Sequence, residues 1–411
     1  MTDGPPAPAP PANPNGRLPA LDVVRGVAVL GIVIANIPGL GQPLVAAVWP
    51  GAFLSPPGPF AEWLWGAQLV LVDGKMRGLF TLLFGAGMVL FLRGAEAREA
   101  GSGPGLLARR LGWLALFGLL HWALLWRGDI LLPYAVAGLL MLGFAGWSWR
   151  RQLALGLAGY TAGALVNFVA LVPLATGVLR PPSGLDGGEA AMLVEARREA
   201  ALIAGGDYAG SVRYALEEQL PTLPLDLAFG LFETAPLMLI GMGLIGAGLF
   251  DGRIGARRQV RAGVWLWLAG ALASVPVAMW AIERGIGYWI SFAAIMGWLP
   301  LTQLAGALGL AAMLAAWGAR PGGALKNRLA EAGRCAFTNY IATSALALAL
   351  FSGWGLGLYG KLSRIELYAL VPLFWLAMLA WPRWWLARFR HGPLEWAWRS
   401  LTYWRVVPFR R

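Results

Sequence analysis

A few ionisable side chains lie in stretches of this chain that are otherwise apolar, where each needs a partner or a task. His121, in GLLHWALLW, is one of two histidines. Its imidazole can exchange a proton near neutral pH, which suits a general base or a proton-coupled gate, and it could equally be a neutral structural group. Asp129, two residues past Arg127 in WRGDILLPY, is expected at the same level and would orient His121 if their helices pack together. Glu233, in GLFETAPLMLIGMG, is a carboxylate deep in an apolar run that requires a polar cavity or a basic partner, and Pro236 nearby can open its helix. Asp73, Lys75 and Arg77 cluster at a break between two apolar segments. The two cations either snorkel to headgroups or, with a helix N-terminus, hold a phosphate or carboxylate.

Three further positions carry a choice of readings. Asp22 and Arg25 in LDVVRG are three apart on one helical face, either a local ion pair or a means of presenting Arg25 to an anionic ligand. Asn36, just before Pro38 and Gly39, is a C-terminal helix cap or a substrate hydrogen bond. Thr338, Asn339 and Tyr340 in GRCAFTNY read as polar glue between helices, with Asn339 also a candidate donor contact beside Arg25.

The elements that must position these groups are membrane helices. The 411 residues are 58% apolar and 13% charged, with a mean hydropathy of +0.61, whereas a soluble domain carries about 25% charge. So few charges cannot cover so much apolar surface, and lipid must solvate most side chains. The 56 glycines and 22 tryptophans fit close helix packing and bilayer interfaces. Continuous apolar runs, rather than short alternating segments, exclude a β-barrel. The fold class expected is therefore an all-α polytopic bundle.

Apolar windows fall near 20–38, 74–92, 107–126, 130–147, 152–176, 222–249, 262–281, 288–316, 335–352 and 366–382, giving about ten spans, with residues 61–73 leaving room for an eleventh. AEWLWGAQLVLVD, at 61–73, reads as an interfacial or re-entrant helix. Ten spans place the connections rich in positive charge on one side with Arg17: those holding Arg93, Arg98, Arg109 and Arg110, then Arg150 and Arg151, then Arg253, Arg257, Arg258 and Arg261, then Arg320, Lys326, Arg328 and Arg334, and the tail from Arg383. By the positive-inside rule both termini are then cytoplasmic. The organisation expected is a Pro-rich disordered tail at 1–16, an N-terminal half at 17–176, an outer connection with a surface helix at 177–221, a C-terminal half at 222–382 and a basic cytoplasmic tail at 383–411. Residues 1–16 lack the basic start and cleavage site of a signal peptide, so the first span is expected to remain as its own insertion signal.

The same ordering puts Asn36, Lys75, Arg77, His121 and Asp129 near the outer leaflet with Glu233 below them, which predicts one outward-facing polar cavity. The formal charge of +12 reads as topology signal and not as a nucleic-acid surface. Cys335 is the only cysteine, which excludes an intrachain disulfide and a cysteine metal cluster. No zinc motif, nucleotide loop or serine-hydrolase elbow is present, and no metal is expected.

Five segments carry a resemblance: RLPALDVVRGVAVLGIVIANIPG at 17–39, DGKMRGLFTLLFGAG at 73–87, HWALLWRGDILLPYAVAGLL at 121–140, AGRCAFTNY at 332–340 and HGPLEWAWRSLTY at 391–403. In this order and spacing they resemble the bacterial DUF418 family of YeiB-like inner-membrane proteins, through almost the whole chain after the tail. That family is commonly labelled uncharacterised or transporter-like. It is also similar to a wider superfamily of transmembrane acyltransferases that includes the lysosomal heparan-glucosaminide N-acetyltransferase, most clearly at LDVVRG, at Asn36 and across WLWGAQLVLVDG to FGAG. Those enzymes move an acyl group from cytoplasmic acyl-CoA to an acceptor on the other face. Their catalytic histidine precedes the second helix, where PGPFAEWLWG at 57–66 has none. Either His121 substitutes from the next span, with Glu62 or Glu233 assisting, or the chemistry has been lost.

The resemblance thus implies an acyltransferase of the bacterial cytoplasmic membrane with acyl-CoA or acetyl-CoA as donor. His121, Asp129 and Glu233 would be its catalytic groups. Asn36, Asp73, Lys75 and Arg77 would contact a small-molecule, glycan or lipid acceptor, and Arg25 and Asn339 the donor. The alternative is a transporter or exporter of a small anionic or amphipathic metabolite, proton-coupled through His121 or Glu233. Besides the bilayer no macromolecular partner is implied, no nucleic acid is expected, and a homodimer is left open.

Overall fold

The computed structural model describes residues 18–97, 99, 101–180 and 188–411. The Pro-rich stretch 1–16, Arg17 and Arg98 lie outside the described residues. Among those described, sixteen α-helices follow one another without a β-sheet. The first half holds α1 (Pro19–Gly41), α2 (Ala61–Leu71), α3 (Lys75–Glu96), α4 (Gly103–Leu124), α5 (Leu131–Met141) and α6 (Trp149–Ala175). The long connection carries α7 (Gly188–Ala204) and α8 (Tyr208–Tyr214). The second half holds α9 (Leu223–Ala247), α10 (Ala256–Glu283), α11 (Tyr288–Phe292), α12 (Pro300–Gly318), α13 (Ala324–Arg334), α14 (Ala336–Phe351), α15 (Arg364–Arg388) and α16 (Pro393–Tyr403).

Among the described residues seven helical segments are long and apolar enough to cross a membrane, with two shorter apolar ones at Leu131–Phe144 and Ala336–Phe351. The protein is apolar outside as well as inside. Leu165, Val166 and Val169 on α6, Phe229 on α9, Trp265 and Leu272 on α10, and Leu376 on α15 all face outward. Contiguous apolar surface of this kind is stable only against lipid, so this is a multi-pass membrane protein.

Central α1 packs against α3, α12, α13, α14 and α15, while α3 packs on α9 and α6 on α9. The α3–α9 approach depends on paired glycines. A Cβ on Gly85 would stand 2.1 Å from the Met238 carbonyl oxygen, and one on Gly241 2.1 Å from that of Leu82. The two backbones therefore touch, as small residues permit in lipid.

The bundle has two faces. One carries α7 and α8 and is called here the loop face; there Gly353 N–H donates to Ile203 O at 2.9 Å and Tyr208 Oη to Leu124 O at 2.9 Å. The other, the tail face, carries α16. Glu395 caps α14 there, accepting from the Phe337 N–H at 2.8 Å, the Thr338 N–H at 3.1 Å and the Thr338 hydroxyl at 2.6 Å.

Three details depart from the windows read in the sequence. Residues 288–316 are not one straight span: wide turns over Ala293–Trp298 lead to a fresh start at Pro300, because proline has no N–H to continue the preceding helix. Arg257, Arg258 and Arg261 belong to the first turns of α10 and not to a loop, since long cationic side chains reach water from a helix end. Asn36 is not a C-cap: α1 continues through Pro38 to Gly41, and the capping residue is Gln42. The Gln42 side chain ties this end down, donating to Ser55 Oγ at 3.0 Å and Leu362 O at 2.8 Å. Between α2 and α3 the break at Asp73-Gly74 is a turn in which Gly74 has φ +71°, and a Cβ there would meet the Gln303 side chain at 2.2 Å, so only glycine fits.

Candidate functional site

The WRGD turn after α4 brings the chain back on itself, so Asp129 reaches His121 eight residues earlier. Asp129 Oδ1 stands 2.7 Å from His121 Nδ1, with both side chains only 1% exposed. Its other oxygen accepts the Leu132 N–H at 2.7 Å, at the start of α5 where the helix dipole favours a negative charge. An ionised carboxylate only accepts, so Nδ1 is the donor to Asp129, and in a neutral ring Nε2 is then the acceptor toward α14. Nε2 is 2.9 Å from Ser344 Oγ on α14. Tyr340, one turn before Ser344, packs its ring 5.0 Å from the imidazole and accepts the Ile130 N–H at 3.1 Å. The imidazole is thus held from both sides, by Asp129 at Nδ1 and Ser344 at Nε2.

Ser344 borders a small cavity of about 10 Å³, room for about one water molecule, together with Tyr340, Thr343, Trp126, Asn36 and apolar residues from Val29 to Leu40 on α1. Five residues of α1 line it, spread from Val29 to Leu40 over roughly 16 Å of the helix toward the loop face. The Asn36 side chain makes no hydrogen bond to any other described residue. A larger cavity of about 70 Å³ lies beyond, between the end of α4 and the helices α7 and α8, lined by Arg127, Glu199, Tyr208, Leu348 and Trp354 among others. Trp126 borders both cavities, and its Nε1–H donates to Gly39 O at 3.0 Å, so this indole forms the partition between them. Arg127 holds the outer element in place by pairing with Glu199 at 2.9 Å.

The remaining ionisable residues do not share this cavity, contrary to the single polar cavity expected. Arg77 pairs with Glu233 at 2.6 Å, joining α3 to α9. Lys75, wholly buried, donates to Leu69 O at 3.3 Å. Asp73 accepts from Gln68 at 2.7 Å. Arg364, also buried, donates to Gln68 and to Tyr368. Each of these charges takes a nearby partner, although Asp73 Oδ2 and Arg364 Nη2 remain buried without a hydrogen bond, and three local sets form in place of one wet pocket. Asn339 is also committed: its amide donates to Ala332 O and Met378 O at 3.3 Å each and accepts from Trp381 at 2.7 Å. It therefore has no free hydrogen-bonding group for a donor molecule. Arg25 lies at the tail face, 3.5 Å from Asp22. It belongs to a basic group with Arg110 and Arg399, close enough to act on one another electrostatically. Among the described residues no set of three His, Cys, Asp or Glu is gathered that could hold a metal ion.

The family model for a protein of unknown function, DUF418, matches residues 248–405. Over 394 residues the chain is 31% identical to the uncharacterized protein YeiB of Escherichia coli (strain K12), covering 93% of this chain and 95% of that protein. The chain belongs to the DUF418 family. Two further relatives span similar lengths: the uncharacterized protein YxaH of Bacillus subtilis (strain 168), 26% identical with 95% of each chain covered, and an uncharacterized 39.9 kDa protein of Bacillus acidopullulyticus, 27% identical over 95% of each. No solved structure matches the chain. In this DUF418 protein the matched segment 248–405 supplies Ser344, Tyr340, Arg364 and Glu395, whereas His121 and Asp129 come from the N-terminal half.

Sequence reasoning missed Ser344, Arg364 and Trp126. Ser344 had one legible signal, its position one turn beyond Tyr340 on the same helical face. Arg364 lies at the start of a span, where a cation ordinarily reaches headgroups, and nothing local distinguishes a buried one.

Proposed function

We propose that this DUF418 protein is a transmembrane acyltransferase of the bacterial cytoplasmic membrane, crossing about ten times with both termini cytoplasmic. It moves an acyl group from acyl-CoA at the tail face to a glycan, lipid or small-molecule acceptor at the loop face. The observation that carries the reading is the buried Asp129–His121 couple, with Nε2 2.9 Å from a hydroxyl on a cavity wall. Such a couple serves as a general base, the carboxylate fixing the tautomer and stabilising the imidazolium as a proton is taken. At the tail face Arg25, Arg110 and Arg399 form a basic group suited to the phosphates of a CoA ester, and Arg110 is steadied by stacking 3.4 Å over the Trp398 ring.

The test is CoA release by purified protein in nanodiscs supplied with acetyl-CoA or octanoyl-CoA and envelope glycans or lipids. His121→Ala should abolish release, and Arg25→Ala should weaken saturable CoA-ester binding. Failure of the wild-type protein to bind any CoA ester sinks the reading.

A second reading, transport of a small anionic metabolite, is favoured by one feature. The breaks at Asp73-Gly74 and at Ala293–Trp298 pack together, with Gln303 of α12 against Gly74 and donating to Ile295 O at 3.2 Å. Interrupted helices from the two halves meeting near buried charges resemble the binding sites of secondary transporters. Arg77 is neutralised by Glu233, so this reading rests on Lys75 and Arg364 for its anion contact. Uptake into proteoliposomes that is lost in Lys75→Ala and retained in His121→Ala would favour it.

A further inference from the structure

General-base catalysis uses Asp129 and His121 but assigns nothing to the hydroxyl that Nε2 already addresses. Ser344 is 3% exposed, and its Oγ stands 2.9 Å from that nitrogen on the wall of the inner cavity. A serine kept in an apolar helix for structure alone ordinarily returns its hydroxyl to the carbonyl one turn back. Ser274 does so with Gly270 O at 2.7 Å, and Thr343, the neighbour of Ser344, does so with Asn339 O at 2.7 Å. Among the described residues Ser344 hydrogen-bonds His121 alone. A hydroxyl donating to the free nitrogen of a carboxylate-oriented imidazole has the arrangement of an activated nucleophile.

We infer that Ser344 is a catalytic nucleophile and that transfer proceeds in two steps through an acyl ester on its Oγ, an inference that rests on the acyl-transfer reading. In the first step Oγ attacks the thioester carbonyl carbon while His121 Nε2 takes the hydroxyl proton. The tetrahedral adduct collapses with cleavage of the carbon–sulfur bond, and the departing CoA sulfur receives that proton. In the second step the acceptor hydroxyl or amine attacks the ester carbonyl and gives its proton to Nε2. The carbon–Oγ bond then breaks and Ser344 regains the proton. No oxidant, reductant or further reactant is needed. The Asn36 amide, without a partner among the described residues and on the same cavity wall, is the donor available to the oxyanion of both adducts. The inner cavity beside Oγ has room for about one water, so the side chains around it must shift to hold the acyl group, and the larger outer cavity, which adjoins it at Trp126, is the side from which the acceptor would arrive.

The experiment uses the full chain in nanodiscs with acetyl-CoA or octanoyl-CoA and no acceptor, followed by acid quench and peptide mass spectrometry. The expected result is one acyl group on the peptide containing Ser344, with labelled free CoA exchanging into the acyl-CoA pool. Ser344→Ala and His121→Ala should lose both signals, while Ser344→Cys, if folded like the parent, should retain the adduct as a thioester. If acceptor-dependent CoA release persists in Ser344→Ala at the parent rate, with no exchange and no adduct in the parent, transfer is direct: the inference falls and the acyltransferase reading stands. If the parent releases no CoA from either ester, the acyl-CoA reading falls, and a fluorophosphonate probe then decides the serine by itself. Labelling of Ser344 that His121→Ala abolishes keeps the nucleophile with another acyl donor; absence of labelling ends the inference.

Discussion

Replacing Asp129 with asparagine separates catalysis from folding more sharply than any other change at this site. The carboxylate makes two 2.7 Å contacts, one to His121 Nδ1 and one to the Leu132 N–H. An asparagine can keep both, its amide oxygen accepting from Leu132 and its N–H₂ turned to Nδ1. That geometry requires Nδ1 to accept, so the ring hydrogen moves to Nε2, which then donates to Ser344 Oγ and can no longer take a proton. With hydrogen bonds exchanged and none deleted, the stability cost of Asp129→Asn should stay within about 1–2 kcal/mol. Acyl transfer should fall about 10⁴-fold, as when an asparagine inverts the tautomer in a serine protease triad, or roughly 5.5 kcal/mol of barrier. Asp129→Ala would instead leave both the ring N–H and the Leu132 N–H unpaired in an apolar setting, at about 1–3 kcal/mol each, and should lower the melting temperature visibly. The assays are CoA release in nanodiscs, thermal unfolding, and ¹⁵N-histidine solid-state NMR. The last is tractable because His391 is the only other histidine. A folded Asp129→Asn protein that transfers acyl groups at nearly the parent rate, or whose His121 keeps its hydrogen on Nδ1, would refute the reasoning.

Other outcomes follow from the same geometry. Trp126→Ala should join the two cavities, so that a maleimide applied from the loop face modifies the Ser344→Cys variant several-fold faster; an unchanged rate would show that the indole is no partition. Glu233→Gln alone should destabilise the protein by about 2–3 kcal/mol, below the ~3–5 typical of fully buried pairs because Arg77 is 40% exposed. Arg77→Met combined with Glu233→Gln should recover most of that loss in a double-mutant cycle of melting temperatures. Burial raises the Glu395 carboxyl above its ordinary value, an effect that hydrogen bonds from Thr338 and Phe337 offset only in part. The folded protein therefore holds this proton more tightly than the unfolded chain, and the associated stability is full below the ordinary carboxylate value and lost as pH rises through the raised one. Hydrogen exchange in α16 should accelerate over that rise, and Glu395→Gln should flatten the dependence; a pH-independent parent would contradict it.

Much of the bundle is written in local pattern. Apolar runs bounded by arginine dictate helices that cross lipid, and the glycine-bearing break at Asp73-Gly74 separates α2 from α3, whereas the start at Pro300 was not legible, since prolines such as Pro38 and Pro236 lie inside helices here. The approach of Asp129 to His121 was also legible, because a short polar turn between two apolar helices returns the chain to the level it left. What the sequence could not state was which charges would share a space. A buried charge takes the partner that packing brings nearest, and that partner is commonly remote in the chain: Arg77 found Glu233 156 residues away, and Arg364 found Gln68 296 residues away. Ser344 joined His121 across 223 residues only because α4 and α14 place those two side chains against each other, while Asn339, one turn and a residue earlier, was turned toward α13 and α15. Helix identity is a property of neighbouring residues and lipid solvation. The composition of the site depends on helix rotation, which only the packed bundle fixes.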